Sequence, residues 1–241
     1  MKNAIALLTK TSLIATTVLL FASCQFSGIT GSGNITTENR PITAAFESIA
    51  AERGLEVTVA QSDTPSILVE TDDNVQKHIT TNIENGVLHL TCDQSSCNNV
   101  TIKIVVHLPK ITGLEVSGGA NLNSKNTLKS NNITIKASSG AEASVSIEAE
   151  KTSCQSSSGS TITMSGKAIE LETTSSSGST IDARGLLSNN IIASATSGSS
   201  TEINPLVSLK AKAYSGGNIS YINTPKNLSK KSSSGGSINK E

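Results

Sequence analysis

One glycine recurs through the second half of the chain at a nearly constant interval. The first is Gly119, and each later one follows its predecessor by 18 to 21 residues. The set is Gly119, Gly140, Gly159, Gly178, Gly198, Gly216 and Gly235. The segment SSSGSTI surrounds two of them letter for letter, at 156–162 and at 175–181. A fixed period of this length indicates a repeat architecture, in which each unit packs mainly against its neighbours.

Around each glycine, apolar and polar residues alternate. The residue three positions after the glycine is apolar in most units: Leu122, Ala143, Ile162, Ile181, Thr201, Ile219 and Ile238. A period of two predicts β-strands, and so short a repeat leaves no room for the crossover helices that usually join parallel strands. We therefore predict an all-β fold, a single-stranded parallel β-helix of about 19–20 residues per coil. An antiparallel sandwich of short hairpins is the alternative.

In a β-helix the repeated glycine lies at the corner between two strands. Glycine adopts a positive φ there without the steric cost that a Cβ atom brings. The flanking serines are small, and their hydroxyls can bond to nearby backbone groups. We interpret SSSGSTI as a motif that specifies the fold, and we expect function to reside on the variable positions.

The front third lacks the repeated glycine but still has the pattern of strands. They are predicted at 55–61, 66–72, 78–84, 87–92 and 100–108. Asn85-Gly86 predicts a tight hairpin turn, and the stretch after Asp72 predicts a bend or a single helical turn. We expect one domain over 34–241, with N-terminal strands and a cap at 34–110 and Ser/Gly-cornered coils at 111–241.

The first residues indicate export across a membrane. Residues 1–23 carry early lysines followed by an apolar segment that ends in small residues, as in a signal peptide. Phe21-Ala22-Ser23-Cys24 resembles the bacterial lipobox, so we predict lipid attachment at Cys24 and a flexible tether over 24–33. An ordinary signal peptide cut near Ser23 is the alternative.

A lipid on Cys24 would anchor the protein to a membrane. Gln25 follows Cys24 where a retained lipoprotein would have aspartate, which resembles lipoproteins sent to an outer membrane. We expect a bacterial cell-envelope protein, with the periplasmic and the external face both open.

The expected mature chain has little net charge. Loss of Lys2 and Lys10 leaves 17 basic residues (19 less those two) against 19 acidic ones. A chain near −2 lacks the basic surface that nucleic-acid binding requires, so nucleic acid is not an expected partner. The sequence leaves the oligomeric state open.

Three further cysteines fall in the mature chain. Cys92 and Cys97 flank a short loop and predict a disulfide, with two free thiols as the alternative. No paired histidine or further cysteine accompanies them in the sequence, so we expect no metal site and no cofactor. Cys154 takes an apolar position of the repeat and is expected to be buried.

The residues that could support catalysis are scattered. Glu170 and Glu172 could share a strand face with Glu150, but glutamates that alternate with apolar residues are typical of an outer strand face. The three histidines, His78, His89 and His107, all lie in the front third. We therefore predict no enzyme and no catalytic residues. Aromatic residues make up only 2% of the chain; Tyr221 is expected in the core and Tyr214 at the surface.

Several short elements resemble a known family. They are Gly33-Asn34-Ile35, Phe46-Glu47-Ser48-Ile49, Gly54-Leu55-Glu56-Val57, Asp72-Asp73-Asn74, the turn at 85–88 and the serial Ser-Gly coils. Together they resemble the "putative auto-transporter adhesin head GIN domain" family over about 33–239. The chain departs from it near Gly236-Ser237-Ile238-Asn239, where a serine is inserted. The resemblance implies a right-handed parallel β-helix common in lipoproteins of Bacteroidetes-type bacteria.

The resemblance also implies an adhesive role. We expect a lipid-anchored binding module that contacts glycans or a partner protein through one repetitive face, because repeated weak sites favour avidity. One alternative is a structural or envelope-stress lipoprotein without a ligand. The other is a saccharide-active β-helix enzyme.

Overall fold

The computed structural model describes residues 28–93, 97–98, 100 and 102–241. The strands in this part of the chain are β1 Ile29–Thr30, β2 Ile35–Arg40, β3 Ser48–Ala51, β4 Glu56–Gln61, β5 Ser66–Asp72, β6 Ile79–Glu84, β7 Val87–Cys92, β8 Cys97–Asn98, β9 Ile102–Leu108, β10 Gly113–Val116, β11 Asn121–Ser124, β12 Leu128–Ala137, β13 Glu142–Ser156, β14 Thr161–Ser175, β15 Thr180–Ala195, β16 Ser200–Ala213, β17 Asn218–Tyr221, β18 Asn227–Ser232 and β19 Ser237–Lys240. One 3-10 helix, Gln76–His78, joins β5 to β6.

The strands from β10 onward stack as parallel coils. Ile162 of β14 pairs with Ala143 in the coil before it and with Ile181 in the coil after it. Strands β13 to β16 are 14 to 16 residues long, so each covers most of one coil. This parallel β-helix confirms the predicted fold class.

Each coil has two faces. In β13 the first face is 142–149 and the second face is 151–156; Ala149 and Thr152 are buried, but both residues between them are exposed. Two exposed residues in succession break the alternation and turn the chain at what we call the outer corner. A tight turn after the second face leads into the next coil.

The tight turn contains the repeated glycine. In one coil Ser158 has φ 53° and Gly159 φ 70°, and the Ser160 N–H donates to the Ser157 carbonyl at 3.2 Å. Positive φ at both central positions with this bond is the pattern of a type I′ β-turn. The Gly159 N–H donates to the Ser177 carbonyl of the next coil at 3.1 Å, so successive turns are bonded to one another.

In two of the turns, the serine after the glycine ties the turn to the coil before it. Ser160 Oγ accepts from the Ser157 N–H at 3.1 Å and lies 2.8 Å from the carbonyl oxygen of Ala137. Ser179 repeats the arrangement, 2.7 Å from the carbonyl oxygen of Ser156. Both serines are buried, so their small hydroxyls bond where a larger side chain would not fit.

The front third joins the stack and covers its first coil. Strand β3 pairs in parallel with β10 and β7, and β4 pairs with β11 and β9. Strand β5 then lies antiparallel to β9 and β2, and β6 with β7 forms the hairpin at Asn85-Gly86. The stack of turns also begins in this region, because Arg53 and Gly54 have positive φ and the Gly54 N–H donates to Gly118.

Three strands begin one or two residues later than the sequence predicts, β4 at Glu56, β6 at Ile79 and β9 at Ile102. His78 ends the 3-10 helix instead of starting β6, because the N–H groups of Val75 and His78 close successive turns onto Asp72 and Val75.

The core is a ladder of aliphatic side chains. Every residue three positions after a repeated glycine is at most 9% exposed. Each fully buried isoleucine contributes about 1.5–3 kcal/mol of burial free energy. On the second face the ladder does not continue into β18, whose six residues are all exposed.

Candidate binding surface

The second face carries two outward rows of side chains in register. The first row is Lys151, Glu170, Asn190, Ser208 and Asn227. The second row is Ser153, Glu172, Ile192, Lys210 and Ser229. Neighbouring strands of a sheet lie about 4.8 Å apart, so each row offers a side chain at this interval over five coils.

These rows line a shallow groove of about 710 Å³, which we call the ladder groove. Lys226 and Leu228 complete its C-terminal end. Asn190 Oδ1 accepts a hydrogen bond from Ser208 Oγ at 2.8 Å, which leaves the Asn190 amide nitrogen available as a donor. None of the described residues that line the groove is aromatic.

A second groove, the corner groove, lies on the other side of the outer corner. Its volume is about 640 Å³, and its polar lining includes Lys129, Glu148, Glu150 and Lys167. Lys129 Nζ lies 3.6 Å from Glu148 Oε2. The apolar part of this lining includes Ile169, Leu187 and Leu206.

Exposed aliphatic side chains gather along the outer corner. Ile169, Leu187, Leu206 and Val207 are 51%, 39%, 42% and 40% exposed, and we call them the corner ridge. Ile192, 52% exposed, lies nearby in the ladder groove. Contiguous exposed apolar surface on a folded protein marks an interaction site.

On the first face, one basic side chain bridges two acidic ones. Asp182 pairs in register with Glu202, and Arg184 lies 2.7 Å from Asp182 and 2.8 Å from Glu202. The hydrogen bond from Arg184 holds the pKa of the Asp182 carboxyl below its ordinary value, although partial burial acts in the opposite direction. The acidic pair therefore has a counter-ion within the chain.

The three glutamates considered from the sequence do not form one ladder. Glu170 and Glu172 line the ladder groove, whereas Glu150 lines the corner groove. They are separated because Glu150 lies at the outer corner, where the chain changes face. The possibility that all three share one face is therefore not realised.

Glu170 and Glu172 lack the setting that carboxyl catalysis requires. They are two residues apart on one strand, about 6.6 Å along the backbone, and both are exposed. Glycoside hydrolysis needs a desolvated general acid and a second carboxylate on the other side of the bond. Two exposed carboxylates that project in the same direction provide neither.

The histidines lie in the front third, away from both grooves. His78 Nδ1 is 2.8 Å from Asp93 Oδ1, and His107 Nδ1 is 3.1 Å from Ser66 Oγ. His89 is exposed on β7. In the described part of the chain, no three potential metal-ligating side chains come together.

The described cysteine and tyrosine side chains are buried or half-buried. Cys154 is buried, and burial raises the pKa of its thiol. Cys92 is also buried, but the Cys97 side chain and Cys24 lie outside the described residues, so the disulfide and the lipid attachment remain predictions. Tyr221 is buried and Tyr214 is half-buried.

All the repeated glycines from Gly119 to Gly235 have positive φ, as the sequence predicted for the corners of the coils.

No helix among the described residues is long and apolar enough to cross a membrane.

The corner ridge was missed in the sequence, although the sequence contains its signal. Two ridge residues stand beside a buried apolar neighbour, in Ala168-Ile169 and Leu186-Leu187. Such pairs break the alternation of apolar and polar residues, and a strand with one buried face can bury only one member of each pair. Adjacent apolar residues in a period-two pattern therefore indicate exposed aliphatic side chains.

Solved structures share this fold. A putative adhesin from Bacteroides fragilis is 22% identical, with a TM-score of 0.81 over 89% of this chain and 100% of that chain. A putative adhesin from Parabacteroides merdae is 21% identical, with a TM-score of 0.71 over 89% and 99%. A putative lipid binding protein from Parabacteroides distasonis is 20% identical, with a TM-score of 0.72 over 89% and 100%.

No functionally curated protein matches the chain. The model of one family, described as "putative auto-transporter adhesin, head GIN domain", matches residues 45–225. This match covers most of the chain and includes the tight turns as far as Gly216, the ladder groove as far as β16, and the corner ridge. The chain therefore belongs to the auto-transporter adhesin head GIN domain family.

Proposed function

We propose that the protein is a lipid-anchored, non-catalytic adhesion module of the bacterial cell envelope that binds an extended saccharide along the ladder groove. The observation that carries the proposal is the pair of outward rows, which present side chains in register over five coils. A ligand with its own repeat can contact successive coils in the same way. Many weak contacts then add to a useful avidity.

The chemistry of the groove suits a hydroxyl-rich ligand. Asn190 and Asn227 supply amides, and Ser208 and Ser229 supply hydroxyls. These groups both donate and accept hydrogen bonds, as sugar hydroxyls do. None of the described residues that line the groove offers a ring on which a pyranose could stack, so affinity must come from the number of polar contacts.

The proposed localisation follows from the sequence and from the family. Membership of an adhesin family indicates a cell-envelope or surface protein. A lipid on Cys24, with the tether at 24–33, would hold the β-helix beside the membrane that carries it. We place it at the outer membrane because Gln25, and not an aspartate, follows the lipidated cysteine.

A glycan array tests the proposal. The full-length protein, kept in nonionic detergent, is compared with the double variant Asn190→Ala/Asn227→Ala. A matched control is Asn121→Ala/Asn123→Ala, because these asparagines lie outward on the first face. We expect binding that the groove variant weakens at least about fivefold, the effect of losing two hydrogen bonds of about 0.5 kcal/mol each, while the control keeps it.

Two results would count against the proposal. If the groove variant and the control lost equal amounts of glycan binding, the binding site would lie outside the groove. A blank array, together with unchanged surface attachment of cells that lack the protein, would favour the structural lipoprotein without a ligand.

The corner ridge supports a second candidate, adhesion to a partner protein. Aliphatic side chains exposed by 39% or more offer the apolar centre that protein interfaces use, and they contribute little to sugar binding. If the partner is a protein, Ile169→Ser/Leu187→Ser should abolish attachment of protein-coated beads to cells, and Asn190→Ala/Asn227→Ala should not.

A further inference from the structure

We propose that the saccharide held in the ladder groove is acidic, and that its carboxylate or sulfate groups bind a cluster of four lysines. This lysine cluster consists of Lys210, Lys212, Lys226 and Lys231. Lys210 and Lys226 line the groove at its C-terminal end. Lys212 and Lys231 face each other just beyond it, two residues further along β16 and β18 than Lys210 and Ser229. The inference rests on the proposed function, because it names the chemical class of the ligand for the same groove.

The charge of the chain changes sign along the solenoid. From Ile203 to Lys240 every charged residue is a lysine: Lys210, Lys212, Lys226, Lys230, Lys231 and Lys240. Among the described residues none of these lysines lies within 4.0 Å of a carboxylate. Earlier in the chain, Lys103, Lys110 and Lys129 each form an ion pair. The C-terminal lysines thus lack the internal counter-ions that several earlier ones have.

The register of the strands also distinguishes the C-terminal lysines from the earlier ones. Charged residues that face each other on neighbouring strands usually have opposite signs: Glu70 and Lys103, Glu115 and Lys136, Lys129 and Glu148, Glu148 and Lys167, Lys151 and Glu170. Two pairs in the described strands have like signs, Asp182 with Glu202 and Lys212 with Lys231. Like charges directly opposite each other destabilise a sheet.

The two like-charged pairs differ in their neutralisation. Arg184 bridges the acidic pair. For the pair of Lys212 and Lys231, the described chain supplies no carboxylate within ion-pair distance. Solvent therefore surrounds this exposed pair of lysines, and a bound anionic ligand would relieve their mutual repulsion.

Protection of a sheet edge explains only some of the lysines. Strand β18 ends the stack on this face, and edge lysines discourage pairing with other chains. This accounts for Lys231 and for Lys230, whose Nζ lies 5.6 Å from the centre of the Tyr221 ring. Lys210 and Lys212, however, belong to β16, which has β15 on one side and β18 on the other. These two lysines need another explanation.

The groove combines these cations with groups that recognise sugars. Lys210 and Lys226 line it together with Asn190, Ser208 and Asn227. Ammonium groups form charge-assisted hydrogen bonds with carboxylate and sulfate oxygens, and the amides and hydroxyl suit the neutral part of each sugar. Towards the other end of the groove, Glu170 and Glu172 repel anions, and the charge of Lys151 there faces that of Glu170. The acidic groups should therefore bind at the C-terminal lysines.

Two matched pairs of polysaccharides test the inference. Polygalacturonate is compared with its fully methyl-esterified form, and dextran sulfate with dextran, for binding to the full-length protein in nonionic detergent. We expect the acidic member of at least one pair to bind at least about tenfold more tightly than its neutral partner, and added salt to weaken it.

The lysine variant is Lys210→Gln/Lys212→Gln/Lys231→Gln. It should lose about tenfold in affinity for the acidic polymer, as expected when three exposed ion pairs are removed. The control Lys77→Gln/Lys125→Gln/Lys240→Gln changes the net charge equally, at exposed positions outside the groove, and should bind like the parent protein. Circular dichroism verifies that both variants are folded.

The possible results separate this inference from the proposed function. Equal binding of acidic and neutral polymers, lost in Asn190→Ala/Asn227→Ala, would overturn the acidic ligand and leave the saccharide groove standing. Absence of binding to all four polymers and to the glycan array would overturn both. Lysine-dependent binding of polyphosphate, single-stranded DNA or anionic vesicles, without binding of the polysaccharides, would overturn the assignment of the ligand as a glycan.

Discussion

Substitutions in the stacked turns can separate two costs to the free energy of unfolding. One is the backbone cost of a positive φ, and the other is the steric cost of an added Cβ atom. Gly178 has φ +69°, and a Cβ atom built on it meets nothing within 4 Å. In Gly178→Ala the folded state therefore bears only the left-handed backbone cost of about 1–2 kcal/mol. The smaller entropy of the unfolded chain offsets about 0.4–1 kcal/mol. We expect a net loss of about 1 kcal/mol in the free energy of unfolding.

Two further substitutions serve as controls for this value. In Gly217→Ala the new Cβ would lie 2.3 Å from the carbonyl oxygen of Ala195, so we expect a loss of about 3 kcal/mol, the upper end of the usual cost of overpacking. Ser177 already has φ 53°, and asparagine tolerates this region better than serine. Ser177→Asn should therefore raise stability by a few tenths of a kcal/mol, roughly the size of small backbone effects.

Urea unfolding followed by far-ultraviolet circular dichroism measures all three variants. Because solenoids can unfold in steps, equal slopes in urea must be verified before the free energies are compared. The reasoning would be refuted if Gly178→Ala cost as much as Gly217→Ala. It would also be refuted if Ser177→Asn were as destabilising as Gly178→Ala.

Three other predictions concern the core, a buried thiol and the glutamates of the ladder groove. Ile162→Ala, at a position with no exposed surface, should lower the free energy of unfolding by about 2–5 kcal/mol; in urea unfolding, a loss below about 1 kcal/mol would contradict the stacked core. Burial raises the pKa of the Cys154 thiol, so the group stays protonated as pH rises through the ordinary thiol range. Peptide mass spectrometry should find Cys154 unmodified by iodoacetamide at pH 8 in the native protein and modified after unfolding; native modification would be inconsistent with this burial. Glu170→Gln/Glu172→Gln removes two anions from the ladder groove and should raise the affinity for polygalacturonate about twofold to fivefold, as for two weak exposed charge interactions; a titration that showed weaker binding would place the acidic ligand elsewhere.

The sequence predicts the fold well because the structure repeats. A side chain at one position of a coil meets the equivalent side chain of the next coil, so the period reveals the stacking without knowledge of distant contacts. Ile162 and Ile181 are an example, equivalent in the sequence and paired in the structure. The repeat also predicted the positive φ of the glycine. It did not predict the positive φ of the serine before it, because this conformation is uncommon for serine.

The binding surface was harder to predict because it depends on where the coil bends. Glu150 and Glu170 look equivalent in a simple alternation, yet the outer corner sends them into different grooves. The lysines were visible in the sequence, but their like-charged pairing depends on the register between β16 and β18. The turn at 53–54 escaped detection because the N-terminal strands separate it from the regular period.

The most direct measurement of the binding site uses isoleucine methyl groups. Ile192 lies in the ladder groove and Ile169 on the corner ridge, while Ile35 is an exposed control in the front third. In methyl-labelled protein titrated with polygalacturonate, we predict a chemical-shift change for Ile192 that exceeds that of Ile169, with Ile35 unchanged. Changes confined to Ile35, or binding without any change at Ile192, would contradict the ladder groove as the site of adhesion.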